Sequence, residues 1–268
     1  MSTLALDLSP RDDTPARPRP GADTLALIGR CLRRSTRQVD TVILGVALPV
    51  LLLLMFVFVF GGAIESGMEY VDFVVPGIVI LTAGYGAASA AVDVANDRTN
   101  GIVDRFRSMP IRSTGVLTGH VVASLVRNLA STVVVFVVAA LMGFRPDAGL
   151  VEWVAAVGVI ALFVLAISAV SAALGMLAGN EEAASGFTFF LLFLPYVSSA
   201  FVPPETMPGW LRGFAEHQPV TPVIETVRGL LTGTGIGSSA IVAIGWCAAF
   251  TAIGLVAATA LFRQRTAR

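Results

Sequence analysis

The stretch Trp153–Ala178, WVAAVGVIALFVLAISAVSAALGMLA, contains no charged residue. A helix needs about 20 mainly apolar residues to cross the hydrocarbon core of a bilayer, so this stretch predicts a membrane-spanning helix. The whole chain of 268 residues has the same character, since 55% of its residues are hydrophobic, 13% are charged and the mean hydropathy is +0.80. Soluble domains carry about 25% charged residues. The composition therefore predicts an all-α integral membrane protein.

Five other apolar stretches predict five further spans. In chain order the six predicted spans are Val42–Phe60, Phe73–Val92, a segment within Val116–Phe144, Trp153–Ala178, Gly186–Val202 and Ser238–Phe262. The fifth span is short and contains Pro195, a residue that breaks helices. Six spans would place both termini on the same side of the membrane.

The two ends of the chain differ from the spans in composition. Residues 1–23 are rich in Pro, Arg and Asp, which predicts a disordered cytoplasmic tail. Residues 24–39 carry arginines on one side and aliphatic residues on the other, which predicts an amphipathic interfacial helix. Residues 40–262 are expected to form the six-helix transmembrane domain, and residues 263–268 a second cytoplasmic tail.

The distribution of arginine predicts the orientation in the membrane. Seven arginines precede the first span, four follow the second span and three follow the last. The opposite side would hold only Arg145, Arg212 and Arg228. Basic residues concentrate in cytoplasmic loops, so both termini are expected in the cytoplasm.

The composition also excludes several kinds of protein. The 18 basic residues are all arginines, so the chain lacks the lysine of a Walker A loop and of a Schiff-base enzyme. Two cysteines and two histidines predict neither a structural zinc site nor a histidine metal centre. A net charge of zero argues against binding to nucleic acid. We therefore expect no cofactor bound to this chain and no catalytic residue in it.

The loop after span two, Asn96–Pro110, reads NDRTNGIVDRFRSMP and predicts a short helix that Pro110 ends. Its apolar residues share one face of that helix: Ile102, Phe106 and Met109. Its polar face is expected to hold Asp97, Asp104 and Ser108. Such a helix fits a groove in a soluble partner. The alternative is a helix that rests on the bilayer without a partner.

The segment between spans five and six predicts two more short helices. Pro208 and Pro222 are each suited to the first turn of a helix. Both helices would be amphipathic, and they would either re-enter the membrane or lie flat on its outer face.

At these two segments the chain resembles the membrane subunit of type-2 ABC exporters, in the daunorubicin-resistance permease group. The inner loop carries the motif of Asp97-Arg98, Gly101, Asp104-Arg105 and Pro110. The outer segment carries the more specific motif of Val202-Pro203, Met207-Pro208-Gly209-Trp210 and Phe214–Pro222. Gln218 stands where that family often has Asn. The resemblance covers about residues 24–262.

The resemblance implies a permease in the cytoplasmic membrane of a bacterium, working as a homodimer with two copies of a separate ABC ATPase subunit. MgATP would bind to that partner, and the cargo would be a hydrophobic drug, antibiotic or lipid-like compound. The inner loop would seat in the ATPase as a coupling helix. Its expected coupling residues are Asp97, Arg98, Gly101, Ile102, Asp104, Arg105, Phe106, Met109 and Pro110.

Other functions are weighed against this one. A related permease branch exports polysaccharide or teichoic-acid polymers, and it is the closest alternative. A membrane-embedded enzyme would need catalytic groups at one depth, whereas His120 and His217 are expected on opposite sides of the membrane. An ion channel would need a filter-like loop, and the sequence suggests none.

Two sets of residues within the spans are candidates for function. Arg127 lies in the third span and Asp93 near the inner end of the second, so they either form an ion pair or Arg127 extends to the interface. A candidate translocation path for a ring-bearing substrate lies in span five: Phe187, Phe190, Phe193 and Tyr196. Contact with lipid or packing across a dimer is the favoured alternative for these aromatic residues.

Overall fold

The computed structural model describes residues 28, 29, 33, 39–64, 66–100 and 113–266. All regular secondary structure in these residues is helical. The α-helices, numbered here in chain order, are α1 Val39–Met55, α2 Tyr70–Thr99, α3 Ser113–Leu141, α4 Leu150–Leu177, α5 Glu181–Phe193, α6 Gly209–His217, α7 Val220–Thr232 and α8 Ser239–Thr266. The protein is an all-α integral membrane protein, as its composition predicts.

Several predicted features lie outside the described residues. These are the tail at residues 1–23, most of the amphipathic helix at 24–39, the inner loop at 101–112 and the last two residues of the chain. The domain boundaries drawn from composition therefore remain predictions.

Among the residues that the structure describes, four helices are long and apolar enough to cross a membrane. They are Tyr70–Thr99, Gly119–Leu141, Leu150–Leu177 and Ser239–Leu261, and they correspond to the predicted second, third, fourth and sixth spans. The predicted first span is a shorter apolar helix over Gly45–Phe60, the last turn of which is π-helical.

The predicted fifth span differs most from the structure. We placed it at Gly186–Val202, whereas α5 begins at Glu181 and ends at Phe193. The start is earlier because the side-chain oxygen of Asn180 accepts a hydrogen bond of 2.8 Å from the Ala183 N–H and so caps the helix. After Phe193 the chain tightens into a 3-10 turn that contains Pro195.

Helix α2 lies at the centre of the bundle. It packs against α1, α3, α4, α5 and α7. Protein covers 83% of its most apolar window, compared with 33% for α3 and 17% for α8. The lipid-facing surface of a single chain therefore belongs largely to the outer helices α3 and α8.

Two glycines allow the backbones of neighbouring segments to approach closely. A Cβ atom at Gly254 of α8 would lie 2.5 Å from the carbonyl carbon of Ala169 in α4. A Cβ atom at Gly77 of α2 would lie 2.6 Å from the Cα of Ala200, which follows α5. Helices in lipid gain stability from such van der Waals packing, because burial of apolar surface gives little advantage there.

Helix α7 is enclosed by protein, and it carries a buried cation. Arg228 donates hydrogen bonds to the carbonyl oxygens of Phe73, at 3.0 Å, and Ser199, at 2.6 Å. Its guanidinium carbon lies 4.0 Å from the centre of the Phe73 ring. Burial lowers the pKa of Arg228 to about 10, so the side chain remains charged at neutral pH. These contacts fix α7 to the start of α2.

Helix α6 presents three different faces. Ala215 is fully buried against the protein, whereas 79% of Trp210 and 53% of Phe214 is exposed. On the remaining side Arg212 Nε donates a hydrogen bond of 2.6 Å to Glu216 Oε1. A helix with a protein side, an exposed aromatic side and a charged side is suited to a membrane interface. Whether α6 re-enters the membrane or lies flat on it remains a prediction, and these faces would suit a flat helix.

We predict that the Trp210 ring lies at the level of the lipid headgroups. In a Trp153→Phe, Trp246→Phe variant, Trp210 is the remaining tryptophan. Its fluorescence should be quenched more strongly by phospholipids brominated near the headgroup end of the acyl chain than by those brominated near the chain end. A matched variant that retains only Trp246, in α8, should show the opposite preference. Stronger quenching of Trp210 by aqueous iodide than by either lipid would contradict the prediction.

Candidate functional site

Asp93 and Arg127 meet between α2 and α3. The sequence left open whether Arg127 pairs or extends to the interface, and the structure places its Nη1 atom 3.6 Å from Asp93 Oδ2. Its Nη2 atom donates hydrogen bonds to the Gly86 carbonyl oxygen, at 3.2 Å, and to Ser89 Oγ, at 2.5 Å. The side chains are only 13% and 25% exposed for Arg127 and Asp93. The guanidinium is thus held against α2 by the Asp93 carboxylate, the Gly86 carbonyl oxygen and the Ser89 hydroxyl.

The contact between α2 and α3 continues beyond this pair as a row of buried polar groups. Ser124 Oγ lies 2.9 Å from Ser168 Oγ of α4 and 3.4 Å from the Gly86 carbonyl oxygen, to which it donates. The side-chain amide of Asn128 occupies the space that a Cβ atom at Gly86 would fill. Sequence reasoning missed Ser124, Asn128 and Ser168, although the first two share a face of α3 with His120 at four-residue spacing.

His120 and Asp97 form a second link between α2 and α3. The His120 Nε2–H donates to Asp97 Oδ2 across 3.1 Å, and both side chains are buried. Asp97 precedes residues 101–112 and His120 follows them, so this hydrogen bond joins the two ends of the inner loop. Sequence reasoning did not identify this pair, because the two residues lie on different predicted elements.

Arg98 links the same end of α2 to the end of α4. Its Nη1 atom donates to the carbonyl oxygens of Met176, at 3.0 Å, and Ala178. The last carbonyl groups of a helix lack partners within that helix and carry a partial negative charge. The guanidinium therefore acts as a side-chain cap for α4.

The predicted coupling residues fall into two groups. We assigned Asp97 and Arg98 to the inner loop, but α2 continues to Thr99 and contains both of them. Asp97 was expected on an exposed polar face, whereas it is 1% exposed. Helix α2 extends past Val92 because α3 and α4 satisfy the polar groups in its last turns. The other predicted coupling residues lie outside the described residues: Gly101, Ile102, Asp104, Arg105, Phe106, Met109 and Pro110.

The aromatic residues of the predicted translocation path lie on the surface of the single chain. Phe187, Phe190 and Phe193 are 44%, 72% and 56% exposed, and Tyr196 is 37% exposed. The Tyr196 ring stacks on Phe201 with 5.7 Å between centroids, and Phe201 stacks on Phe56 at 4.3 Å. The exposed rings of α5 and the turn after it form an aromatic surface, and ring contacts lead from it through the buried Phe201 to Phe56, just after α1.

A crevice of about 60 Å³ lies beside this surface, between α2, α4, α5, α7 and α8. Its lining is almost wholly apolar and includes Gly84, Phe163, Leu194, Trp246, Cys247 and Phe250. Pockets for drug-sized ligands measure about 300–1,000 Å³, so this crevice within one chain is too small to enclose one.

In the described part of the chain, no group of three or more His, Cys, Asp or Glu residues could hold a metal ion. The buried polar groups described above join helices to one another. We therefore interpret them as structural contacts that hold neighbouring helices together.

We predict that Asp93 and Arg127 depend on each other for stability. Arg127→Gln leaves a carboxylate without its cation, and Asp93→Asn leaves a cation without its carboxylate, so each should lower the thermal midpoint in detergent. The double variant should lose less than the sum, with a coupling energy on the order of 1 kcal/mol. Additive losses in this double-mutant cycle would show that the ion pair contributes nothing.

The profile of the ABC-2 type transporter family matches residues 22–232. The chain is 31% identical over 224 residues to a daunorubicin resistance ABC transporter permease protein of Streptomyces coeruleorubidus, an alignment that covers 83% of this chain and 79% of the relative.

Two further relatives are more distant. A probable doxorubicin resistance ABC transporter permease protein of Mycobacterium tuberculosis is 27% identical over 85% of this chain and 83% of its own length. A putative transport permease of Porphyra purpurea is 24% identical over 82% of this chain and 78% of its own length. The resemblance first noted at the inner loop and the outer segment is confirmed: the chain belongs to the ABC-2 type transporter family and is an ABC transporter permease.

Proposed function

We propose that this permease is the membrane subunit of an ATP-driven exporter that moves a hydrophobic drug, antibiotic or lipid-like compound out of the cell. The observation that carries the proposal is its similarity, over 83% of the chain, to a permease whose name states daunorubicin resistance. The protein would act in the cytoplasmic membrane of a bacterium, with both termini in the cytoplasm.

Family membership and composition together support a permease and an ATPase on separate subunits. Membership of the family implies a partnering ABC ATPase subunit. Because this chain has no lysine, it has no Walker A lysine with which to hold ATP phosphates. MgATP therefore binds to the partner, and two copies of that partner serve a homodimer of the permease. The inner loop, with its apolar ridge of Ile102, Phe106 and Met109, would transmit the closure of the ATPase.

The path for the substrate is proposed to lie between two copies of the permease. Between the described helices, the crevice of about 60 Å³ is too small for a drug-sized cargo, while the aromatic surface on α5 stands exposed. A second copy facing that surface would cover Phe187, Phe190, Phe193 and Tyr196 and would enclose a larger space. Aromatic rings stack on flat, ring-bearing molecules, which supports a drug-like cargo.

We predict that the permease co-purifies from its native membrane with a soluble ATPase. In vesicles, the complex should move daunorubicin only when MgATP is present, and the permease without the ATPase should move none. ATP-dependent transport of a polysaccharide in place of daunorubicin would favour the related polymer-exporting branch. Uphill transport by the permease alone would refute the proposal.

The apolar ridge of the inner loop provides a sharper prediction. Phe106→Asp places a charge on the surface proposed to enter the ATPase, so it should detach the ATPase or abolish transport driven by it. Ser108→Asp adds the same charge on the predicted polar face and should leave both intact. ATPase binding and daunorubicin efflux measure the outcome, and a Phe106→Asp variant equal to the wild type would contradict the coupling assignment.

A further inference from the structure

The last turn of α2 is hydrogen-bonded to two other helices, α3 and α4. Asp97 accepts a hydrogen bond from His120, near the start of α3, and both side chains are buried. Arg98 donates to the carbonyl oxygens of Met176 and Ala178 at the end of α4. Residues 97 and 98 therefore connect the start of the inner loop to α3 and to the end of α4.

The contact that Arg98 makes leads directly to α5. Ala178 is separated from Glu181, the first residue of α5, only by Gly179 and the N-cap Asn180. Small buried side chains pack α2 against this turn and the first turn of α5: Ala91, Ala95, Ala178 and Ala184. A displacement of the end of α2 is therefore expected to displace α5, the helix that carries the aromatic surface, through this short and closely packed turn.

The backbones of α4 and α2 are also in contact just before this turn. A Cβ atom at Gly175 would overlap the carbonyl oxygen of Ala91, so the two backbones touch there. Packed interiors resist compression and transmit strain. The end of α2, the end of α4 and the start of α5 are therefore expected to move as one body.

We propose that Asp97, Arg98 and His120 form a clamp that passes movement of the inner loop to α5. The inference rests on the proposed function, because it assumes that the ATPase moves the loop. The three residues are positioning residues that act within the permease. This role differs from the one expected for Arg98 from the family motif, which was to couple the inner loop to the ATPase.

Arginine suits this position for a physical reason. A guanidinium holds several N–H donors in a fixed plane and remains charged when partly buried. It can therefore reach two carbonyl oxygens at the end of α4, where the helix dipole also attracts a cation. A lysine offers the same charge without the fixed geometry, and a methionine offers neither.

The first test measures daunorubicin transported per ATP hydrolysed by the complete complex. Arg98→Met should retain the bound ATPase and lose about tenfold in this ratio, a size within the range seen for residues that couple distant sites. Arg98→Lys should lose less. Arg212→Met is the matched control, because it removes an arginine from an exposed pair with Glu216 in α6. His120→Ala, which breaks the other half of the clamp, should resemble Arg98→Met.

The second test does not depend on transport. Spin labels at the exposed residues Thr99 and Glu182, in a complex with Cys31→Ser and Cys247→Ser, report the distance between the ends of α2 and α5. The distance distribution should be narrow and unchanged by ATP. Arg98→Met should broaden it, whereas Arg212→Met should leave it narrow.

The two measurements separate failure of the clamp from failure of the proposed function. An unmodified complex without ATP-dependent daunorubicin transport would refute the proposed function, and the label distances would still test the clamp. A narrow distribution in both Arg98→Met and His120→Ala would overturn the clamp. So would a ratio of transport to hydrolysis equal to that of the unmodified complex in both variants.

Discussion

A charged side chain in a membrane-spanning helix is tolerated when other protein groups meet its charge, and this requirement organises the structure around α2. That helix carries Asp93, Asp97 and Arg98 in its last two turns. Arg127 meets the first of these, His120 the second, and the end of α4 the third. The first two contacts join α2 to α3 at two different levels, and the third joins α2 to α4.

The helix backbones must also pack closely for these polar groups to meet. Polar groups at the α2–α3 contact, such as Ser124 and the Gly86 carbonyl oxygen, reach one another only across a short gap. Gly86 provides that gap on α2, and Gly254 does so where α8 meets α4. The helices are thus closely packed around α2 at these positions, while the apolar outer faces of the bundle are left to lipid or to a second copy.

Apolar runs in the sequence predicted most of the architecture, because the hydrocarbon core allows few alternatives to a helix. They predicted helix ends less well. The run of α2 seemed to stop at Val92, since Asp93, Asp97 and Arg98 follow, yet protein partners carry the helix on to Thr99. The pairing of Asp93 with Arg127 was open to sequence reasoning because both stand out as charges in apolar surroundings. Asp97 with His120 was not, because 22 residues separate them and nothing in their spacing joins them. Arg228 was counted as an outer-loop cation, although its partners are carbonyl oxygens that no sequence pattern reveals.

Photolabelling from the lipid can establish whether α2 is an interior helix while α3 and α8 face the bilayer. The complex would be reconstituted with a phospholipid that carries a photoactivatable group along its acyl chain, and the labelled residues would be identified by mass spectrometry. Exposed residues such as Val133 of α3 and Ile253 of α8 should be labelled, whereas Ile78 and Val79 of α2 should not. Labelling of α2 to the same extent as α8 would contradict the account.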